Sequence, residues 1–397
     1  MTITQAEIEQ RLHLSEVDHA ELATLLSFEF GSSATLDDRR VVYPNATPRA
    51  LLVEYSGGKI WRILPQPGLD NETALNLERR VQQELLAPPV RKVGRFILYS
   101  PKPALGYWAH GDHLVLRQPP PAAPQARPWS ELHPLLCEVA YQGAAEHMTD
   151  MHRRDRAVRH TKLLLTLLIP GLADHWDPSA RTAWVLPTGT DRESVCMQQI
   201  HLIKDFDAVG DELAEQADLP AAPTADNLYE AKPWELAHHE TLVLPTTLGA
   251  DIDRFHALDR PSRREFLRAS FWHHQARLLH HRSLSASYQA LVQSIEVLAA
   301  ATPTPDGARK QFKAFLRDYI HGDWDGADDL YGLRSRIVHG NTLMLADEEG
   351  LGFHPNPRAS DERNRHLMAE QVSRAGAINW LRGLKTSTGD PSHQSRK

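Results

Sequence analysis

The clearest hydrophobic pattern in the chain is a helical stripe in its last third. Apolar residues there recur at alternating steps of four and three, which is the spacing of one face of an α-helix. The stripe consists of Leu284, Tyr288, Leu291, Ile295 and Leu298. Further apolar faces lie in residues 312–319 and 330–337, and another helix is indicated at roughly 361–384. Because such faces need partners, we expect a bundle of amphipathic helices from about residue 262 onward.

The N-terminal part of the chain shows a different pattern, in which short apolar runs are separated by turn residues. Residues 48–64 place two strand-like runs around Gly57 and Gly58, a pair that suits a tight hairpin turn. Further strand-like runs lie at 95–100 and 113–118, with a helix-like run at 75–86. This mixture predicts a small α+β domain over residues 1–117, to which we assign a sensing or regulatory role.

Two proline-containing breaks divide the rest of the chain. They lie at 117–128 and 217–234, and proline disfavours both helices and central strands because it lacks a backbone N–H. Residues 130–169, between the breaks, are rich in helix formers. We therefore predict a mainly α protein, in which the α+β region is followed by a helical middle region at 129–218 and a helical bundle at 236–386.

Helix-end signals complete the prediction for the bundle. Ser262 and Glu265 have the spacing of a capping box, in which each side chain accepts a backbone N–H at the start of a helix. In the last helix, Asp361 would lie in the first turn and Arg382 near the end, where both charges complement the helix dipole.

Composition narrows the class of protein. Of 397 residues, 41% are hydrophobic and 24% are charged, as in ordinary globular chains. Cys137 and Cys196 belong to no C-x-x-C motif, so we expect neither a disulfide framework nor a zinc-thiolate site. The N-terminus lacks signal-peptide features, and the strongest apolar run, at 163–169, is shorter than a membrane span. We expect a cytoplasmic protein without membrane contact.

Charge is distributed unevenly along the chain. The formal net charge is −7, yet residues 251–397 carry more basic than acidic side chains, so the acidic excess lies in the first 250 residues. Either random drift in surface charge or a surface facing a polyanion would explain this difference.

The sequence YGLRSRIVHG at 331–340 carries the most informative chemistry. Arg334 and Arg336 stand beside apolar Ile337, although a guanidinium is costly to bury without an anionic partner. His339 follows Arg334 by five residues, which is about 140° around an ideal helix and about 7.5 Å along it. One copy is therefore a poor compact site, whereas two copies related by a two-fold axis could surround a single cleft.

An arginine and a histidine without acidic metal ligands suit the cleavage of RNA by its own 2′-hydroxyl. The histidine can exchange protons near neutral pH, and the guanidinium offers paired donors to the phosphate oxygens in the transition state. This chemistry requires neither a metal nor a cofactor.

At these residues the sequence resembles the ApeA-like branch of the HEPN (higher eukaryotes and prokaryotes nucleotide-binding) superfamily. The resemblance covers about residues 262–385 and implies a helical bundle that dimerises through its motif helices and often acts as a metal-independent ribonuclease. It also implies that Arg334 and His339 are the catalytic pair and that Glu296 supports them from an earlier helix. Ser335 stands where many active members have a more strongly polar residue. The remaining supporting residues in this interpretation are Tyr331, Arg336 and Asn341.

Two functions from different classes follow from this resemblance. The first is a homodimeric endoribonuclease of a bacterial toxin or anti-phage system, with RNA as the substrate and tRNA as one candidate. A phage-derived trigger or a regulatory protein is a candidate partner. The second is a non-catalytic HEPN-type module that binds RNA or a nucleotide and dimerises.

Several features also have simpler interpretations. Arg268 and His273 repeat the spacing of the motif, and residues 334–339 could be a solvated helix end with a capping glycine. Glu296 could orient an arginine or simply end a polar stripe. The basic residues of 146–160 could grip RNA phosphate or form a solvated helix face.

Paired histidines recur at 238–239, 273–274 and 280–281. No HExxH motif or carboxylate set completes a metal site around them. We interpret these histidines as surface or interface residues.

Overall fold

The N-terminal α+β prediction is confirmed by a computed structural model of the chain. The structure describes residues 3–31, 33–44, 49–121, 123, 133–174, 183–186, 200–203, 206–229, 238–280, 282–301, 307–320, 326–348 and 356–383. The first elements are α1 (Gln5–Arg11), α2 (His19–Glu29), β1 (Ala34–Thr35), β2 (Arg40–Pro44), β3 (Arg49–Ser56), β4 (Lys59–Pro65) and α3 (Asn71–Arg80), followed by a π-helical turn (Val81–Leu85). Strands β1 to β4 form an antiparallel sheet in chain order.

The hairpin predicted around the two glycines is present. Ser56 pairs with Lys59 across the turn, and Gly57 and Gly58 have φ angles of +59° and +76°. Both angles lie in the left-handed region, which glycine adopts without steric cost, and this is the geometry that favours tight hairpins. The sheet packs on the helices through fully buried side chains that include Ile8, Leu22, Leu51, Ile63 and Leu77.

A second sheet and several short strands follow along the chain. These are β5 (Val90–Ser100), β6 (Tyr107–His110), β7 (Leu114–Arg117), β8 (His133–Gly143), β9 (Ala183–Val185), β10 (Ile200–Leu202), β11 (Val209–Gly210), β12 (Thr224–Ala225) and β13 (Leu244–Pro245). The five-stranded sheet has the order β11-β5-β8-β7-β6. The strands predicted at 95–100 and 113–118 therefore belong to one sheet.

The prediction of a helical middle region is wrong over residues 133–143. Strand β8 lies there, and only α4 (His147–Leu168) is helical in the described part of 129–218. Leu135, Leu136 and Cys137 are buried one after another in this strand. A central strand covered on both faces has a continuous apolar run, and this pattern cannot be distinguished from a buried helix by periodicity alone.

The C-terminal region is helical, as the hydrophobic pattern predicts. Its helices are α5 (Leu248–Ala257), α6 (Arg260–His280), α7 (Leu284–Ala301), α8 (Ala308–Tyr319), α9 (Ala327–Val338), α10 (Leu345–Glu348) and α11 (Pro357–Arg382). All five residues of the predicted stripe on α7 are buried. Helices α6 and α7 approach closely through serines, because Ser287 Oγ donates to Ala276 O at 2.7 Å and Ser294 Oγ donates to Ala269 O at 2.8 Å.

The structure corrects two predicted helix starts. Helix α6 begins before Pro261 because Asp259 caps it and accepts a hydrogen bond from the backbone N–H of Ser262 at 2.9 Å. Proline lacks an N–H and therefore fits the first turn of a helix. Helix α11 begins at Pro357 under the Asn356 cap, four residues before the acidic pair on which the prediction relied.

The chain forms two compact units, each assembled from separate segments. One contains Met1–Gly94, Ala140–Val158 and Val209–Glu212, and the other contains Arg95–Val139, Arg159–Ala208 and Leu213–Lys397. Parts of the predicted breaks and residues 384–386 of the predicted bundle lie outside the described residues. Where the structure describes the chain, it contains no helix with both the length and the apolarity needed to cross a bilayer.

Candidate functional site

Helix α9, which carries most of the motif, is held by one apolar face. Leu330, Leu333 and Ile337 on this face are at most 8% exposed. The Tyr288 hydroxyl on α7 also donates a hydrogen bond to the Leu330 carbonyl at 3.0 Å. Because this face is held against α7, the direction in which each other face of α9 points is set as well.

Arg334 is joined to the preceding helix α7 by an ion pair. Its Nη2 donates to Glu296 Oε2 at 2.8 Å and to Gln293 Oε1 at 3.3 Å. The side chains of Arg334 and Glu296 are 19% and 16% exposed, so the ion pair is partly buried and still accessible to solvent. Of the two alternatives for Glu296, the structure favours the one in which it orients an arginine.

The guanidinium of Arg334 retains unused hydrogen-bonding capacity. Both of its hydrogen bonds use Nη2, while Nε is buried and has no hydrogen-bond partner in the described chain. A buried donor without a partner costs about 1–3 kcal/mol. A rotation of the side chain toward an anionic acceptor would remove this cost.

Burial and charge act in opposite directions on Glu296. Desolvation raises the pKa of its carboxyl above the ordinary value of 4.5, and the attraction of Arg334 only partly offsets this effect. Holding the carboxylate beside Arg334 therefore has an energetic cost, as in many sheltered ion pairs.

His339 lies at the C-terminal end of α9, where the backbone follows a regular capping motif. Gly340 adopts a left-handed φ of +69°, and its N–H donates to Ile337 O at 3.0 Å. The Asn341 N–H donates to Arg336 O at 2.9 Å. These two bonds form a Schellman motif, which fixes the backbone of His339 while its side chain stays exposed.

The other predicted site residues differ in their burial and in their contacts. The Tyr331 ring packs against buried Phe312 with ring centroids 5.4 Å apart, so this residue anchors α9 to α8. Ser335 is half-buried, and its carbonyl accepts the His339 N–H at 3.1 Å. The side chains of Arg336 and Asn341 are exposed.

Two exposed apolar side chains lie close to His339 in the sequence. Val338 is 41% exposed and Leu343 is 46% exposed, and they flank His339 along the chain.

No family model, curated protein or solved structure matches the chain.

The pair Arg268 and His273 has the same spacing as Arg334 and His339, but its environment in the structure is different. Arg268 pairs with Glu265 on the surface of α6 at 2.7 Å, whereas His273 is fully buried. An equal spacing thus places one residue in solvent and the other in the core. The interpretation of paired histidines as surface or interface residues is wrong for His273 and His274, which are 0% and 7% exposed.

The basic segment at 146–160 is already paired with carboxylates. Arg153 donates three hydrogen bonds to buried Glu21, the shortest from Nη2 to Oε2 at 2.8 Å, and Arg156 contacts Asp18 at 2.9 Å. These pairs favour a structural role over a grip on RNA.

The structure also reveals residues that the sequence analysis did not select. Gln293, one helical turn before Glu296, contacts Arg334 as well. A separate, partly buried cluster contains Arg277, Glu370 and Arg374, and only the i, i+4 spacing of the last two could have indicated it. Within the described residues, no group of three or more His, Cys, Asp or Glu could hold a metal ion.

We expect Glu296→Gln to change how stability depends on pH. A folded-state pKa that is raised means that the carboxyl contributes stability below its ordinary pKa of 4.5, and that this contribution is lost as pH rises through the folded value. Glutamine does not titrate but can still accept from Arg334. The unfolding free energy of the variant relative to the wild type should therefore increase from pH 4 to pH 7, as measured by chemical denaturation. A decrease over this interval would contradict the assignment.

Proposed function

We propose that this chain is a metal-independent HEPN-type endoribonuclease that acts as a homodimer. The observation that carries the proposal is the ion pair of Arg334 with Glu296 at 2.8 Å, because it joins the motif arginine to the earlier helix that the resemblance implies. The packed helices of the C-terminal region and the exposed His339 at a rigid helix end support the same function.

A dimer is part of the proposal because Arg334 and His339 of a single chain lie on different faces of the helix. On an ideal helix, a five-residue step places the arginine and the histidine about 140° apart around the axis. A two-fold axis beside the end of α9 would bring the same residues from a second copy into one cleft. The exposed Val338 and Leu343 supply apolar area for this contact.

The proposed reaction is a transesterification, in which the phosphorus of one phosphodiester exchanges its bond to O5′ for a bond to O2′. His339 of one copy removes the proton of the 2′-hydroxyl, and the O2′–P bond forms as the P–O5′ bond breaks. A protonated His339 of the other copy then supplies the proton to the departing 5′-oxygen. The guanidinium of Arg334 stabilises the negative charge on the phosphate oxygens during this step. The products are a 2′,3′-cyclic phosphate and a 5′-hydroxyl.

The biological setting of the proposal comes from the resemblance alone. It implies a bacterial toxin or anti-phage system, with RNA as the substrate and tRNA as one candidate. The N-terminal α+β region would sense or regulate, in response to a phage-derived trigger or a regulatory protein.

One observation favours a second candidate, a non-catalytic module that binds RNA or a nucleotide and dimerises. The positive charge of Arg334 is already balanced by Glu296 within the same chain. An arginine held in this way could grip a phosphate without assisting its transfer.

End-group analysis of treated RNA separates the two candidates. We expect the purified full-length chain to cleave total RNA or tRNA in the presence of EDTA, leaving 2′,3′-cyclic phosphate and 5′-hydroxyl ends. RNA that binds but stays intact would support the binding module. Cleavage that leaves 5′-phosphate ends would contradict the proposed chemistry.

A further inference from the structure

The carboxamide of Gln293 uses only its oxygen in the site around Arg334. Gln293 lies on α7, three residues before Glu296, and residues three apart share one face of a helix. Its Oε1 accepts from Arg334 Nη2 at 3.3 Å. A guanidinium has donors but no acceptor, so the atom that faces it must be the amide oxygen. This contact therefore fixes the orientation of the amide.

The amide nitrogen of Gln293 is left available for a ligand. Gln293 donates no hydrogen bond within the described chain, and its Nε2 is not buried. Because the residue as a whole is half-buried, this nitrogen lies at the surface beside Arg334. It carries two N–H groups, both of which can donate to an incoming acceptor.

Arg334 has an available donor on its own exposed side. Both of its hydrogen bonds use Nη2, so the two N–H groups of this nitrogen are committed to Gln293 and Glu296. Nη1 donates to no group of the described chain and, unlike Nε, is not buried. Nη1 of Arg334 and Nε2 of Gln293 are therefore two accessible donors on side chains that contact each other.

Directed hydrogen bonds matter more than net charge among these three side chains. The positive charge of Arg334 is balanced by Glu296 at 2.8 Å, so the ion pair alone attracts an anion only weakly. Hydrogen bonds to a charged phosphate are stronger than those between neutral groups. An uncharged second donor adds such a bond without the desolvation cost of a second cation.

We propose that Gln293 contacts the scissile phosphate of the RNA. Its Nε2 would donate to one non-bridging oxygen while Arg334 Nη1 donates to the other, so that helices α7 and α9 each supply one donor. The inference rests on the proposed ribonuclease function for the identity of the ligand. It adds a phosphate-binding residue on the helix before the motif, where neither charge nor spacing indicates one.

Fluorescence anisotropy measures this contact without requiring cleavage. The probe is a single-stranded RNA of mixed sequence with methylated 2′-hydroxyls, which the proposed reaction cannot cleave. At low salt, which strengthens phosphate contacts, we expect Gln293→Met to weaken binding about tenfold, the worth of one hydrogen bond to a charged group. The control Gln83→Met removes an exposed amide of the N-terminal region and should leave the affinity unchanged.

A double-mutant cycle separates direct contact from an effect through the arginine. We expect Gln293→Met to cause a loss of similar size in an Arg334→Met chain, because the amide reaches the phosphate by itself. A loss that occurs only when Arg334 is present would make Gln293 a positioning residue and overturn the proposal. The absence of any loss in both chains would overturn it as well.

A second comparison does not depend on the Arg334→Met chain. Gln293→Glu keeps an oxygen for Arg334 but removes both amide donors, whereas Gln289→Glu adds the same charge about one turn earlier on α7. We expect Gln293→Glu to weaken binding at least about tenfold more than Gln289→Glu. Equal affinities of the two variants would contradict the contact. All affinities are compared for variants whose thermal unfolding matches the wild type.

Cleavage of the unmethylated RNA, measured in parallel, distinguishes failure of this contact from failure of the ribonuclease proposal. Cleavage by the wild type together with unchanged RNA affinity in Gln293→Met would overturn the contact alone. Binding that depends on Gln293 without any cleavage would support the contact and contradict the ribonuclease. No saturable binding of the methylated RNA would overturn the contact.

Discussion

His339→Ala is expected to lower the rate of RNA cleavage about 10²–10⁴-fold, the usual contribution of a general acid or base. The fold should survive, because the side chain is exposed and the backbone N–H that caps α9 is retained. Cleavage of a labelled RNA under single-turnover conditions measures the rate, and thermal unfolding checks the fold. Arg334→Ala should show a loss of similar size, since it removes the donors that stabilise the phosphate.

The chain offers matched controls for both substitutions. Arg268→Ala removes an arginine with the same spacing to a histidine, but one that pairs with Glu265 on the surface. His113→Ala removes a histidine whose side chain is 72% exposed. Both variants should cleave at the wild-type rate. Wild-type rates in His339→Ala and Arg334→Ala as well would contradict the assignment of the catalytic pair.

Val338→Asp is expected to dissociate the proposed dimer and to abolish cleavage with it. The two-fold axis would bury the new carboxylate twice, and an unpaired buried charge costs several kcal/mol. We expect the dimer dissociation constant to rise at least about 100-fold, because each tenfold change corresponds to about 1.4 kcal/mol. Analytical ultracentrifugation measures the association, and the cleavage assay follows its consequence.

Val90→Asp is the matched control for this prediction. Val90 is 46% exposed, close to the 41% of Val338, and lies far from the motif in sequence. This variant should keep the wild-type association and cleavage rate. Unaltered association in Val338→Asp would show that the surface around Val338 is not the proposed contact.

The elements with a regular side-chain period could be predicted from the sequence. The stripe on α7 is buried at every predicted position because a 3.6-residue period admits one packing face. The Gly57-Gly58 hairpin formed as expected because its turn requires positive φ angles that few other residues adopt. The start of α6 was misplaced because Asp259, rather than Ser262, supplies the cap.

Strand β8 shows where the sequence pattern fails. Its apolar residues are contiguous because other parts of the protein cover both of its faces, and this long-range environment is not encoded in local spacing. The burial of His273 has a similar origin. Its environment is set by Ser373 and Arg374, which lie about a hundred residues further along the chain.

At the candidate site, the sequence was sufficient to predict the residue types but not the contacts between their side chains. The spacing of Arg334 and His339 is visible in the sequence, whereas the contact of Arg334 with Glu296 and Gln293 depends on how α7 and α9 pack. The capping role of Gly340 was predictable because a glycine after a helix commonly adopts the left-handed conformation.

The central claim is that two chains together form the cleaving site. The most direct test of this claim uses one dilution series. Mass photometry gives the molar mass of each sample, and RNA cleavage gives its specific activity. We predict that specific activity is proportional to the fraction of protein with twice the 44.7 kDa mass of one chain, and that both fall together on dilution. Full specific activity in samples that contain only the single chain would contradict it.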